Sequence, residues 1–343
     1  MTILLFVAAL QAPSQQPVLT EQASGVQATL QAVSPVNDSV VWVSGHAGVI
    51  LRTLDGGRTW TQLAAPGGDS LQFRDVHAVS RDTAYVLSAG PGERSRIYKT
   101  SDGGASWQLQ FFNRDSSAFY DCFDFWESRH GIAVSDAVAG RLVLITTTDG
   151  GATWMPAPPQ AIPAADSGEG AFAASGTCLI TRRPRYTWIG AGARGVGKLY
   201  RSADAGATWT VVTLPLARGS PSSGVMSLAF RDSLTGAALG GDLSAADAFR
   251  DNVARTSDGG RTWTLGGRPP FPGAVYGSAY APDGGLPVLV AVGPKGAALS
   301  HDDGGTWTAL SSHGYWAVAF AGPGRGWMVG PGGRITRLEL PVR

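Results

Sequence analysis

The chain has 343 residues, a formal net charge of +1 and 15% charged residues, well below the usual quarter. That balance gives no electrostatic footprint for nucleic acid or an anionic membrane, and no apolar run is long enough to span a bilayer. Its 47 glycines are about twice the ordinary share, which suits many short strands joined by tight turns.

In chain order, residues 1–12 hold an apolar run from Ile3 to Leu10 that ends in small residues but lacks a basic start. This reads as a possible signal peptide and favours export, periplasmic or extracellular, over the cytoplasm. Residues 13–343 read as one domain. An extended stretch at 17–23 comes first, followed by units at 26–65, 71–112, 118–157, 169–214, 224–266, 274–310 and 314–340. Units of this size match a four-stranded propeller blade. The first six each carry one phrase, Ser/Thr-x-Asp-x-Gly-x-Ser/Thr-Trp, with Asp55, Asp102, Asp149, Asp204, Asp258 and Asp302 at its third position. The phrase closes on Trp60, Trp107, Trp154, Trp209, Trp263 and Trp307. The seventh unit supplies three strands and no phrase, so 17–23 is expected to provide its outer strand. The expected fold is therefore all-β: a seven-bladed β-propeller with four antiparallel strands per blade, closed by the N-terminal strand. No segment shows helical periodicity.

The phrase itself is turn chemistry. Glycine takes positive φ freely, and an Asp carboxylate can accept N–H groups of its own turn, while the Trp packs between sheets. The aspartates recur singly without companion ligands, so no metal site is expected. Cys122 and Cys178 fall in innermost strands of consecutive units. They are expected to be two buried free thiols, with a single bridge as the alternative.

The phrase resembles the Asp-box, or BNR repeat, of sialidases, sortilin-type receptors and photosystem II assembly factors. The run from Phe119 to Trp154, Glu169-Gly170-Ala171-Phe172, Gly240-Gly241-Asp242 and Asn252-Val253-Ala254 are similar to a bacterial branch of such propellers. That branch is grouped with the photosystem II stability/assembly factor-like (WD40/YVTN/BNR-like) family. The resemblance implies a non-catalytic propeller holding a partner, with its ligand site on the face opposite the boxes. Arg182, Arg183 and Arg185 are expected in a turn on the box face.

On the opposite face the candidate ligand or partner residues are Asp121, Asp124, Asp136, Arg141, Glu169, Arg194, Asp242 and Asn252. Asp121 and Asp124 interrupt an apolar strand, Ser135 to Arg141 reads as a loop, and Glu169 to Thr177 as the start of the innermost strand of blade 4. Asp121, Asp136, Glu169 and Asp242 are expected to approach the channel mouth, with Arg141 and Arg194 as counter-charges. The structural alternative is that they cap loops and bridge blades. Two functions follow. One is a binding or assembly propeller for a protein partner or glycan, monomeric and without a cofactor. The other is a sialidase-like or xyloglucanase-like glycoside hydrolase using two of those four carboxylates. The Arg-Ile/Leu-Pro motif of sialidases is missing, as are a Gly-x-Ser-x-Gly elbow and His-Glu-x-x-His.

Overall fold

In the computed structural model, which describes residues 16–282 and 287–341, strands follow one another in seven four-stranded antiparallel sheets. Blade 1 shows the pattern: Leu30–Pro35, Val41–Gly45, Ile50–Thr53 and Thr61–Gln62 run from the channel outward. The middle strands are the most apolar. Val41–Gly45 and Ala84–Ser88 are buried along their whole length, because both of their faces pack against neighbouring blades. Blade 7 is made from both ends of the chain. Val18–Gln22 pairs antiparallel with Ile335–Glu339, joining Val18 to Glu339 and Gln22 to Ile335. This closure pairs the outer side of Ile335–Glu339, which would otherwise be an exposed edge.

Each repeated phrase joins the third strand of its blade to the fourth. In blade 1 the Thr53 hydroxyl donates to Asp55 Oδ1 over 2.8 Å and accepts the Gly57 N–H over 2.8 Å. Asp55 in turn accepts the Thr59 N–H at 2.9 Å and the Thr59 hydroxyl at 2.7 Å. The same four bonds recur in the other five copies. Those donors favour the ionised carboxylate: bonds from Thr59, Ser106 and Thr153 hold Asp55, Asp102 and Asp149 down at about 2. The first glycine of the phrase sits at positive φ, 72° at Gly56. Where two copies lack it, Ala205 and Asp303 are forced to 60° and 56°, a region costly for any side chain.

Two expectations change at this level. Cys122 and Cys178 are joined by a disulfide, with Cα atoms 6.0 Å apart. The innermost strands of blades 3 and 4 lie side by side, and both residues face the gap between them. The segment from Ser135 to Arg141 is also more regular than a loop. Gly131–Val138 and Arg141–Thr147 continue as paired strands up to a two-residue turn, with Ala139 and Gly140 at φ 50° and 77°. Blade 4 does the same: Tyr186–Ala193 turns through Arg194 and Gly195 into Val196–Ser202.

Candidate functional site

The channel mouth is organised by a break in blade 4. Its innermost strand is only Leu179–Arg182. The residues ahead of it, expected to start that strand, instead touch the sheet once, at Gly170 against Gly192. They then cross the channel. The Ala173 carbonyl accepts Gln31 Nε2 of blade 1 at 2.6 Å, and Ser175 Oγ donates to the Tyr276 carbonyl at the start of blade 6 at 2.7 Å. Ala174 packs against Met226 and Ala274, with Phe172 and Tyr276 beside them. Apart from Phe172, which packs beside Met226, the crossing segment carries only small side chains: Ala171-Phe172-Ala173-Ala174-Ser175-Gly176. A Cβ on Gly176, which sits at φ 76°, would strike the Asp75 carboxylate.

The neighbours that receive this segment share one device. The innermost strands of blades 1, 2, 3 and 5 shift register across Gln31, Arg74, Asp121 and Met226. A bulged residue leaves the ladder and re-aims its side chain. Asp121 and Asp136 are neighbouring carboxyls near the Ala173 and Ala171 N–H groups, and Asp121 Oδ2 is buried without a hydrogen-bond partner. Burial, then the Asp136 charge, pushes Asp121 well above its ordinary range against the pull of Arg74. Burial raises Asp136 to about 6. Two carboxyls in contact inside the fold cannot both ionise cheaply, so the pair holds a proton between them. Asp75 is a third buried acid, raised chiefly by burial, and accepts the Phe123 N–H at 2.9 Å.

The remaining candidates do not join that pair. Glu169, 2% exposed, accepts Lys198 Nζ at 2.8 Å, Tyr200 Oη at 2.6 Å and the Asp166 N–H at 2.7 Å. Against the desolvation that partial burial imposes, bonds to Asp166 and Glu169 hold the Lys198 ammonium above its ordinary value. Asp242 sits in a serine cradle: the N–H and hydroxyl of Ser220 and of Ser244 all donate to it at 2.7–2.9 Å. Outweighing its desolvation, those bonds keep it ionised far into acid. Asn252 ties blade 5 to the Gly273 carbonyl at 2.8 Å. Asp124 bridges blades, accepting the Thr181 N–H and hydroxyl at 2.8 and 2.9 Å and lying 3.2 Å from His77. Neither expected counter-charge serves the acids. Arg141 donates to the Ile162 carbonyl, and Arg194 lies in the exposed turn near Asp166. The cations at the acids are Arg74 and Lys198.

Gln31, Arg74, Asp75 and Met226 were not singled out from sequence. Polar residues inside otherwise apolar innermost strands, as in Leu30-Gln31-Ala32 and Phe73-Arg74-Asp75, were the available signal. Among the described residues no group of acids, histidines or cysteines is arranged to hold a metal ion. Arg182, Arg183 and Arg185 fall where expected, at the hairpin between the first two strands of blade 4.

Fold and site together define a seven-bladed β-propeller whose channel is crossed near one mouth by its own chain. Solved structures with this architecture include YCF48 bound to D1 peptide, with a TM-score of 0.65 and 16% identity over 96% of this chain and 98% of that one. YCF48 from Cyanidioschyzon merolae gives 0.67 and 15% over 94% and 98%. The WD40 β-propeller domain of Doa1 gives 0.57 and 12% over 94% and 98%. At these identities the likeness is one of fold. No protein-family model and no curated protein matches the sequence.

Proposed function

We propose that this chain is a non-catalytic Asp-box propeller, of the photosystem II stability/assembly factor-like kind, that holds a protein partner on the face opposite its aspartate turns. The observation that carries this reading is how the carboxylates are used. Glu169 and Asp242 have their oxygens taken by internal donors, and Asp121 is 2% exposed beneath the crossing segment. A glycosidase needs two carboxyls open to the sugar, one as acid and one as nucleophile or base. Here they fasten the scaffold, so the glycosidase reading has the weaker support.

The same face does display surface suited to a protein. The long blade 5 loop after Asp242 exposes Leu243 and Phe249, the latter by 58%. Around it stand Arg250, Arg268 and Lys295, paired to the Arg218 carbonyl, Asp251 and Asp247. Aromatic and arginine side chains are the usual anchors of interfaces. A structure of YCF48 with a bound D1 peptide supports peptide recognition by this architecture. We further propose export, which the buried disulfide supports, since such bonds persist in oxidising compartments. Crosslinking in the source organism tests the function. A partner captured by the parent and lost on Phe249→Asp with Leu243→Asp supports it, whereas sugar release from a glycoside panel, abolished by Asp121→Asn, overturns it.

A further inference from the structure

The crossing segment is pinned at its flanks and lightly held between them. Glu169, ahead of it, is bonded to Lys198 and Tyr200, and Cys178, behind it, is bridged to Cys122. At its return Gly176 lies against the buried Asp75, which the Phe123 N–H fixes in turn. From Ala171 to Ala174 the holds are fewer. Gln31 Nε2 donates to the Ala173 carbonyl, with Gln31 Oε1 kept 2.6 Å from His46 Nε2. Ala174 adds an apolar contact with Met226 and Ala274. The rest of the seat is the Asp121–Asp136 pair.

That pair lacks counter-charge. Asp121 is 2% exposed and its Oδ2 has no hydrogen-bond partner. Asp136 packs against Gly170, where a Cβ would strike its Oδ1. Arg74 of blade 2 is the cation that acts on Asp121, yet its Nε and Nη2 go to Gln72 Oε1 at 3.2 and 2.7 Å. His46 of blade 1 is half-buried, and burial followed by Arg74 disfavours its charged form. On blade 4 the Lys198 ammonium is taken by Asp166 and Glu169. The other acids of the adjoining strands, Asp75 and Asp124, are bonded to Phe123 and to Thr181 and His77 and offer no compensation. The Ala171 and Ala173 N–H groups favour an ionised pair, but burial outweighs them. With one proton the pair fits its dry seat. Without it, repulsion and desolvation oppose closure, and water reaches the carboxylates only if the segment moves off them.

We infer that Ala171 to Ala174 form a proton-held gate across the channel, seated while the Asp121–Asp136 pair keeps its proton and displaced when the pair loses it. The direction follows from linkage. Carboxyls that bind their proton more tightly in the closed form stabilise that form below their ordinary range, about pH 4. That stability is lost as pH rises through the closed-form value, about 6 for Asp136. Rising pH therefore opens the gate. The inference concerns the channel and does not rest on the proposed partner surface.

Hydrogen exchange of the full chain, read by mass spectrometry and corrected for the intrinsic rate, tests this. Between about pH 4 and about pH 6, protection of the peptide spanning 170–175 is expected to fall about tenfold per pH unit, while the strand Val288–Gly293 of blade 6 keeps its protection. In the double variant Asp121→Asn with Asp136→Asn, which has no proton to lose, the segment's protection should be level across the same range. Level protection in the parent, an equal fall in the control strand, or an undiminished fall in the double variant overturns the inference. If the double variant does not fold, the parent's contrast with its control strand and a smaller slope in Asp136→Asn decide it.

Discussion

Cutting the Cys122–Cys178 bridge tests the junction between blades 3 and 4. The two residues are 56 apart in sequence, and closing a loop of that length in the unfolded chain costs about 4 kcal/mol of entropy at 25 °C. Reduction returns that freedom to the unfolded state while leaving both side chains in their fully buried places. The loss is felt locally too, because Cys178 is where the crossing segment re-enters its sheet and Cys122 follows the bulge at Asp121. The assay is urea unfolding of oxidised and reduced protein, followed by tryptophan fluorescence, with thiols counted under denaturing conditions. The oxidised form should show no titratable thiol and the higher midpoint, worth about 4 kcal/mol. Two thiols in unreduced, denatured protein refute the bridge. A midpoint unmoved by verified reduction refutes the entropic argument.

Three further outcomes follow from the geometry. Ala205→Gly should stabilise the fold by about 0.5–1 kcal/mol, because glycine occupies positive φ without the Cβ penalty. Asp303→Gly should not, since Asp303 also holds Arg231 Nε and Tyr280 Oη at 3.0 Å; paired urea titrations separate the two. In acid, Asp55, Asp102 and Asp149, lowered to about 2, contribute stability that is present above pH 4 and lost as pH falls through 2. Asp136, raised to about 6, contributes in the opposite sense, with stability present below pH 4 and lost as pH rises through 6. Asp136→Asn should thus flatten the decline between pH 4 and 7 while leaving the acid limb unchanged, as read from unfolding midpoints across pH. Glu169→Gln leaves Lys198 with Asp166 alone and should cost about 3 kcal/mol. A double-mutant cycle with Lys198→Met checks that the loss belongs to this pair.

The architecture was legible in the sequence because its signals are local. Each aspartate turn satisfies itself within five residues, so Asp55 and Thr59 announce it wherever they fall, and six copies at regular spacing measure out the blades. The seventh blade followed from its missing turn and the spare strand at 17–23. The candidate site was legible only in part. Asp121 and Asp136 were marked by being acids beside apolar strands, but their roles depend on partners that spacing does not announce. Gln31 meets Ala173 across 142 residues of sequence, and Asp75 meets Phe123 across 48.

Bulges decided the rest. A register shift at Arg74 or Asp121 turns a side chain toward the channel, and nothing in a two-residue alternation predicts where the shift falls. The disulfide was settled the same way: the two cysteines were expected as buried free thiols until the ring placed their strands side by side. The sequence by itself determined how many blades there are and how each closes its turn, since those bonds lie within one segment. The tertiary structure alone decided that the chain crosses its own channel over a buried acid pair, because the groups that fix this crossing come from other blades.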